Sequence, residues 1–159
     1  MNLCYLIPFT LALIFYSLPP SLSEPKRLTL VSWLFLAIVM TFPCKDVFGY
    51  AVRRIVEIAE RVRAESLIVA VFDIFSHNLL VLMLCALIGK AYLGFTIGLT
   101  GIISREIASG YPLNVLLGAH TLLELYAYSL ATTRRKRELV KATLYLLIAA
   151  AFEVIAIRF

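Results

Sequence analysis

Residues 67–89 read Leu67-Ile-Val-Ala-Val-Phe-Asp73-Ile-Phe-Ser-His77-Asn78-Leu-Leu-Val-Leu-Met-Leu-Cys85-Ala-Leu-Ile-Gly89. A run this long and this apolar suffices to cross the ~30 Å hydrocarbon core of a bilayer as one helix. The rest of the chain has the same character. Of its 159 residues 62% are hydrophobic and only 16% charged, with a mean hydropathy of +0.92, against ~45–50% and ~25% in water-soluble domains. Polar surface is too scarce to cover such a chain in water, so lipid is the expected solvent for much of it.

Five further apolar runs flank this one. They cover about Leu3–Leu18, Leu28–Pro43, Ala91–Ser104, Leu113–Thr133 and Leu139–Ile157. The first ends at Pro19-Pro20, and no Lys or Arg precedes it, so it reads as a membrane helix rather than a signal peptide. Between Val47 and Glu65 the pattern differs. Apolar Val52, Ile55, Val56, Ala59 and Val62 recur at helical spacing, while Arg53, Glu57, Arg61 and Glu65 form a ladder of alternating sign. Each rung adds ~0.2–0.5 kcal/mol to a solvated helix, which predicts an amphipathic helix along the membrane surface. The expected fold class is therefore all-α: one membrane domain over 1–159, a polytopic transmembrane bundle of about six segments plus one amphipathic surface helix. Two N-terminal helices occupy 1–44, the amphipathic helix 47–65 and a helical core 67–159.

The net charge of +5 is explained by loops and anionic headgroups; the basic residues form no nucleic-acid module, so nucleic acid is not an expected partner. The run Arg134-Arg135-Lys136-Arg137 is the strongest topology mark and predicts a cytoplasmic loop, with the 47–65 helix and both termini outside. Cys4, Cys44 and Cys85 are widely spaced without a Cys-x-x-Cys and read as ordinary buried thiols. Gly94, Gly98 and Gly101 give a small-residue face that predicts close helix packing.

Chemistry is expected where ionisable groups interrupt apolar runs, because each costs ~2.5–3.5 kcal/mol on insertion scales. These are Asp73, His77, His120, Glu124 and Glu153, accompanied by Asn78, Asn114 and Thr121. Asp73 and His77 stand four apart, as do His120 and Glu124, so each acid shares a helix face with an imidazole. Three roles follow: hydrogen-bonded pairs joining helices, a proton or cation site in a transporter or channel subunit, or a zinc-like centre of two imidazoles and two carboxylates serving an intramembrane hydrolase. His120-Thr-Leu-Leu-Glu124 is not His-Glu-x-x-His, and Gly-x-Ser-x-Gly, Walker and dinucleotide motifs are absent. No catalytic residue, metal or cofactor is assigned.

Phe75-Ser-His-Asn78-Leu-Leu-Val81, then Gly89, Gly94 and Thr100-Gly101, then Gly118-Ala-His120-Thr-Leu-Leu-Glu124-Leu-Tyr-Ala127 resemble the stage II sporulation protein M family of membrane proteins over about residues 59–159. In that resemblance Asn78 matches the second asparagine of an Asn-Asn-x-x-Val element. His120, Glu124 and Ala127 match a Pro-His-Gly-x-x-Glu-Leu-Pro-Ala signature, whose prolines and glycine are replaced here by Ala119, Tyr126 and Thr121. The resemblance implies a non-enzymatic, multi-pass cell-membrane protein that works as a scaffold in a homo-oligomer or with partner membrane proteins.

Overall fold

The computed structural model describes residues 3–42, 44, 47, 49–107 and 118–158, the side chains at 51, 52, 54, 55, 106 and 107 excepted. Asn114, with the rest of 113–117, lies outside that set, as do Lys45 and Asp46. Seven α-helices stand among the described residues: α1 Ile7–Ser17, α2 Pro25–Val39, α3 Gly49–Ala64, α4 Leu67–Ile88, α5 Lys90–Ile107, α6 Ala119–Ala131 and α7 Lys136–Arg158. Their boundaries follow from local chemistry. Pro25 opens α2 at a position where its missing N–H costs nothing. The Ser66 hydroxyl caps α4 by accepting from the Val69 amide. Gly89 ends α4 at φ 87°, a conformation that side chains resist, and α5 starts on the next residue.

The all-α class holds, but the expectation of about six membrane segments does not. Two described helices are long and apolar enough to cross a membrane, α4 with 22 residues and α7 with 23. At 1.5 Å per residue they reach ~33 Å. The other apolar runs overestimated helix length because turns and caps share their hydropathy. The first opens with a 3-10 turn at Leu3–Leu6 and leaves 11 α-helical residues, the second stops at Val39 after 15, and the described helix of the fifth has 13. Helices of 11–15 residues extend only ~17–23 Å. α5 has 18 residues but includes Lys90, Arg105 and Glu106.

The two long helices are not the buried core of a water-soluble domain. Only 17% of the most apolar stretch of α4 and 28% of that of α7 are buried. Phe72, Leu80, Met83 and Leu87 of α4, and Val140, Leu144, Ile148 and Phe152 of α7, are instead exposed. An outer surface this apolar is matched to lipid or to further protein.

Inside the bundle α1 lies on α5, α6 on α7, and α7 also on α4. The three glycines mark where helices of this one chain approach closely. A Cβ on Gly94 would collide with the Leu11 carbonyl oxygen and stand 2.8 Å from Phe15 Cβ; on Gly98 it would stand 2.7 Å from Pro8 Cα, and on Gly101 2.7 Å from Val39 Cγ1. The α1–α2 hairpin is also closed covalently. Cys4 and Cys44 form a disulfide with their Cα atoms 5.9 Å apart, while Cys85 is a free, buried thiol. The expectation of three ordinary thiols is thus corrected: spacing in sequence said nothing of a pairing that depends on α1 and α2 folding back to bring their outer ends together.

Basic side chains close both ends of the bundle. At the end holding the Leu18–Ser23 turn, Lys90 Nζ donates to the Leu18 carbonyl and Ser23 Oγ at 2.8 Å each, and Arg134 donates to the Leu87 carbonyl at 2.7 Å. At the other end the closure is reciprocal. Arg63 of α3 donates to the Ile157 carbonyl at 3.2 Å, and Arg158 of α7 donates to Val62 O at 3.0 Å and Glu65 O at 2.6 Å. Terminal carbonyls have no acceptor role left inside their own helix, so these guanidinium groups satisfy them and oppose the helix dipole.

Replacing Gly98 with leucine drives a side chain into the α1 backbone and is expected to destabilise the bundle by about 1–3 kcal/mol. Gly49→Ala, where a Cβ meets nothing within 4 Å, serves as the control. Thermal unfolding in detergent checks this; equal midpoints for both variants would remove the packing role of Gly98.

Candidate functional site

A cavity of about 430 Å³, with polar groups set in a largely apolar wall, is bounded by α2 through α7. Asp73, His77 and Asn78 reach it from α4, His120, Thr121 and Glu124 from α6, and Glu153 from α7. Every ionisable residue that interrupts an apolar run thus faces one space. Asp73 and His77 are exposed at its mouth, His120 is buried, and Asn78, Glu124 and Glu153 are half-buried deeper in.

The pairing inside the cavity differs from the one that helical spacing suggested. Glu124 does not close on His120 one turn away. Its Oε1 accepts from Asn78 Nδ2 at 2.7 Å, a bond between α4 and α6. The carboxyl of Glu153, on α7, lies near both Glu124 and Asn78. Glu153 Oε2 is buried and accepts no hydrogen bond from a described residue. An amide with two N–H donors and two acids with spare lone pairs therefore make an acceptor-rich cluster that a proton or cation would complete.

Among the described residues no three His, Cys, Asp or Glu side chains come together closely enough to hold a metal ion. The arrangement of two imidazoles and two carboxylates considered for a zinc-like ion is not formed by them. The two histidines sit at different depths, His77 exposed and His120 buried.

Sequence reasoning missed part of the lining. Thr96, Thr100 and Ser104 of α5, Tyr128 of α6 and Arg61 of α3 all border the cavity. The signal was present on α5, where Thr96, Thr100 and Ser104 recur every four residues and so share one face. Gly94, Gly98 and Gly101 face α1 and α2 instead and do not themselves line the cavity.

No protein-family model, curated protein or solved structure matches this chain. What the fold and site define is an all-helical bundle with an apolar exterior and an acid-lined cavity.

The Asn78–Glu124 bond is testable by a double-mutant cycle. Asn78→Leu and Glu124→Leu are expected to be less than additive, with a coupling of about 0.5–3 kcal/mol in thermal or denaturant unfolding. Strict additivity would mean that the contact contributes nothing.

Proposed function

We propose that this is an integral membrane protein, crossing the bilayer with at least α4 and α7, whose bundle carries a proton- or cation-binding site and which works as a transporter or channel subunit. The observation that carries this reading is the Asn78–Glu124–Glu153 cluster. It draws three helices onto one cavity and leaves a buried carboxylate oxygen without a donor. Acids kept within an apolar bundle at a cost of kilocalories each are accounted for when a mobile positive charge completes them. Proteoliposomes test it: wild-type protein should dissipate an imposed proton or sodium gradient faster than empty vesicles. Glu124→Gln, which preserves shape and hydrogen bonding but removes the charge, should stop that flux with the unfolding midpoint little changed.

A second reading is a non-enzymatic scaffold like the stage II sporulation protein M family, acting with further copies or partner membrane proteins. It is favoured by one observation: Asn78, His120 and Glu124, the residues matched to that family's separate signatures, border a single cavity. Under it Glu124→Gln is tolerated in every respect and no flux is measured.

The orientation follows from two independent marks at opposite ends of the bundle. Arg134–Arg137 lie at the Leu18–Ser23 end, and basic loops are retained in the cytoplasm. The Cys4–Cys44 bridge lies at the other end, beside the C-terminal part of α5 that α1 covers, and disulfides persist in oxidising compartments. The α3 end therefore faces outward. In intact cells an impermeant thiol reagent should label Arg61→Cys and spare Arg135→Cys; the opposite pattern reverses the assignment.

A further inference from the structure

The chemistry and size of the cavity narrow the class of cation. Its volume of about 430 Å³ lies in the ~300–1,000 Å³ range of small-molecule sites and exceeds what a bare ion fills. Its lining is divided. Ile74, Ile97 and Leu125 present a buried apolar wall, while Glu124 and Glu153 gather on the polar side with an unsatisfied acceptor at Glu153 Oε2. Among the described residues three carboxyls, of Asp73, Glu124 and Glu153, border the space against one guanidinium, of Arg61, and the imidazoles of His77 and His120. A neutral solute would leave that acidic excess without a counter-charge, and an anion would add to it.

We propose that the cavity binds a small organic amine in its protonated form. The ammonium donates to the Glu124–Glu153 pair, including the free Oε2, and the hydrocarbon body lies on Ile74, Ile97 and Leu125. The ring of Tyr128, buried at the cavity wall, adds an aromatic surface of the kind that attracts cations. The inference rests on the cation site proposed above and specifies its ligand.

Purified protein in detergent near neutral pH tests it with three probes: cyclohexylamine, its uncharged analogue cyclohexanol, and sodium chloride alone. Cyclohexylamine should raise the unfolding midpoint saturably, because a ligand bound only by the folded state stabilises it by mass action. Cyclohexanol should not, and sodium chloride should do so less. Glu124→Gln and Glu153→Gln, two nearly isosteric changes, should each weaken the amine effect about tenfold or more while melting cooperatively. An equal response to cyclohexanol, or retention of the amine effect in both variants, overturns the proposal. A midpoint that rises with sodium through Glu124 but not with cyclohexylamine overturns the organic ligand alone and leaves the cation site standing. A wild-type protein indifferent to both cations overturns the cation site itself.

Discussion

A polar group taken into an apolar bundle must find its partner within the chain, because neither lipid tails nor aliphatic side chains offer one. That requirement organises this molecule at two levels. At the helix ends it recruits Lys90, Arg134, Arg63 and Arg158 to terminal carbonyls on neighbouring elements. In the interior it draws Asn78, Glu124 and Glu153 together from three helices. The cavity lies where those three side chains meet.

The closures differ in what they cost. Arg134 reaches Leu87 from a backbone with φ 59°, the sole non-glycine residue among those described with positive φ. A left-handed conformation costs an ordinary residue ~1–2 kcal/mol, and a charge-assisted hydrogen bond contributes ~1.5–3 kcal/mol. The two are of similar size, so the turn between α6 and α7 is held by the guanidinium rather than by backbone preference. The Arg63–Arg158 exchange carries no such strain, and it fastens the amphipathic α3 to the end of α7, where Arg61 and Val62 border the cavity.

What could be read from the sequence followed the range of each physical signal. The helical character of α3, α4 and α7 was legible to within a few residues, because periodicity and long apolar runs are local properties. Segment number was not: hydropathy continues through Thr41-Phe42 after α2 has ended and through the 3-10 turn before α1 has begun. In the site, the cost of burying charge singled out Asp73, His77, Asn78, His120, Glu124 and Glu153, all of which border one cavity. Their partners were not legible. Spacing by four residues identifies neighbours on one helix, whereas the Asn78–Glu124 bond joins residues 46 apart, and that depends on how α4 and α6 dock. The Cys4–Cys44 bridge was hidden for the same reason, its ends meeting only after α1 and α2 form a hairpin.

That bridge also confines one part of the chain independently of the rest. Both of its cysteines precede α4, so the covalent loop contains none of the helices that carry the acids of the cavity. Linking residues 40 apart removes conformational freedom equivalent to ~4 kcal/mol from the unfolded chain. α5 packs directly on the α1 backbone inside that loop, where Gly94 and Gly98 leave room for it. In a reducing compartment the covalent constraint is lost, and α1 and α2 are held in place by packing alone.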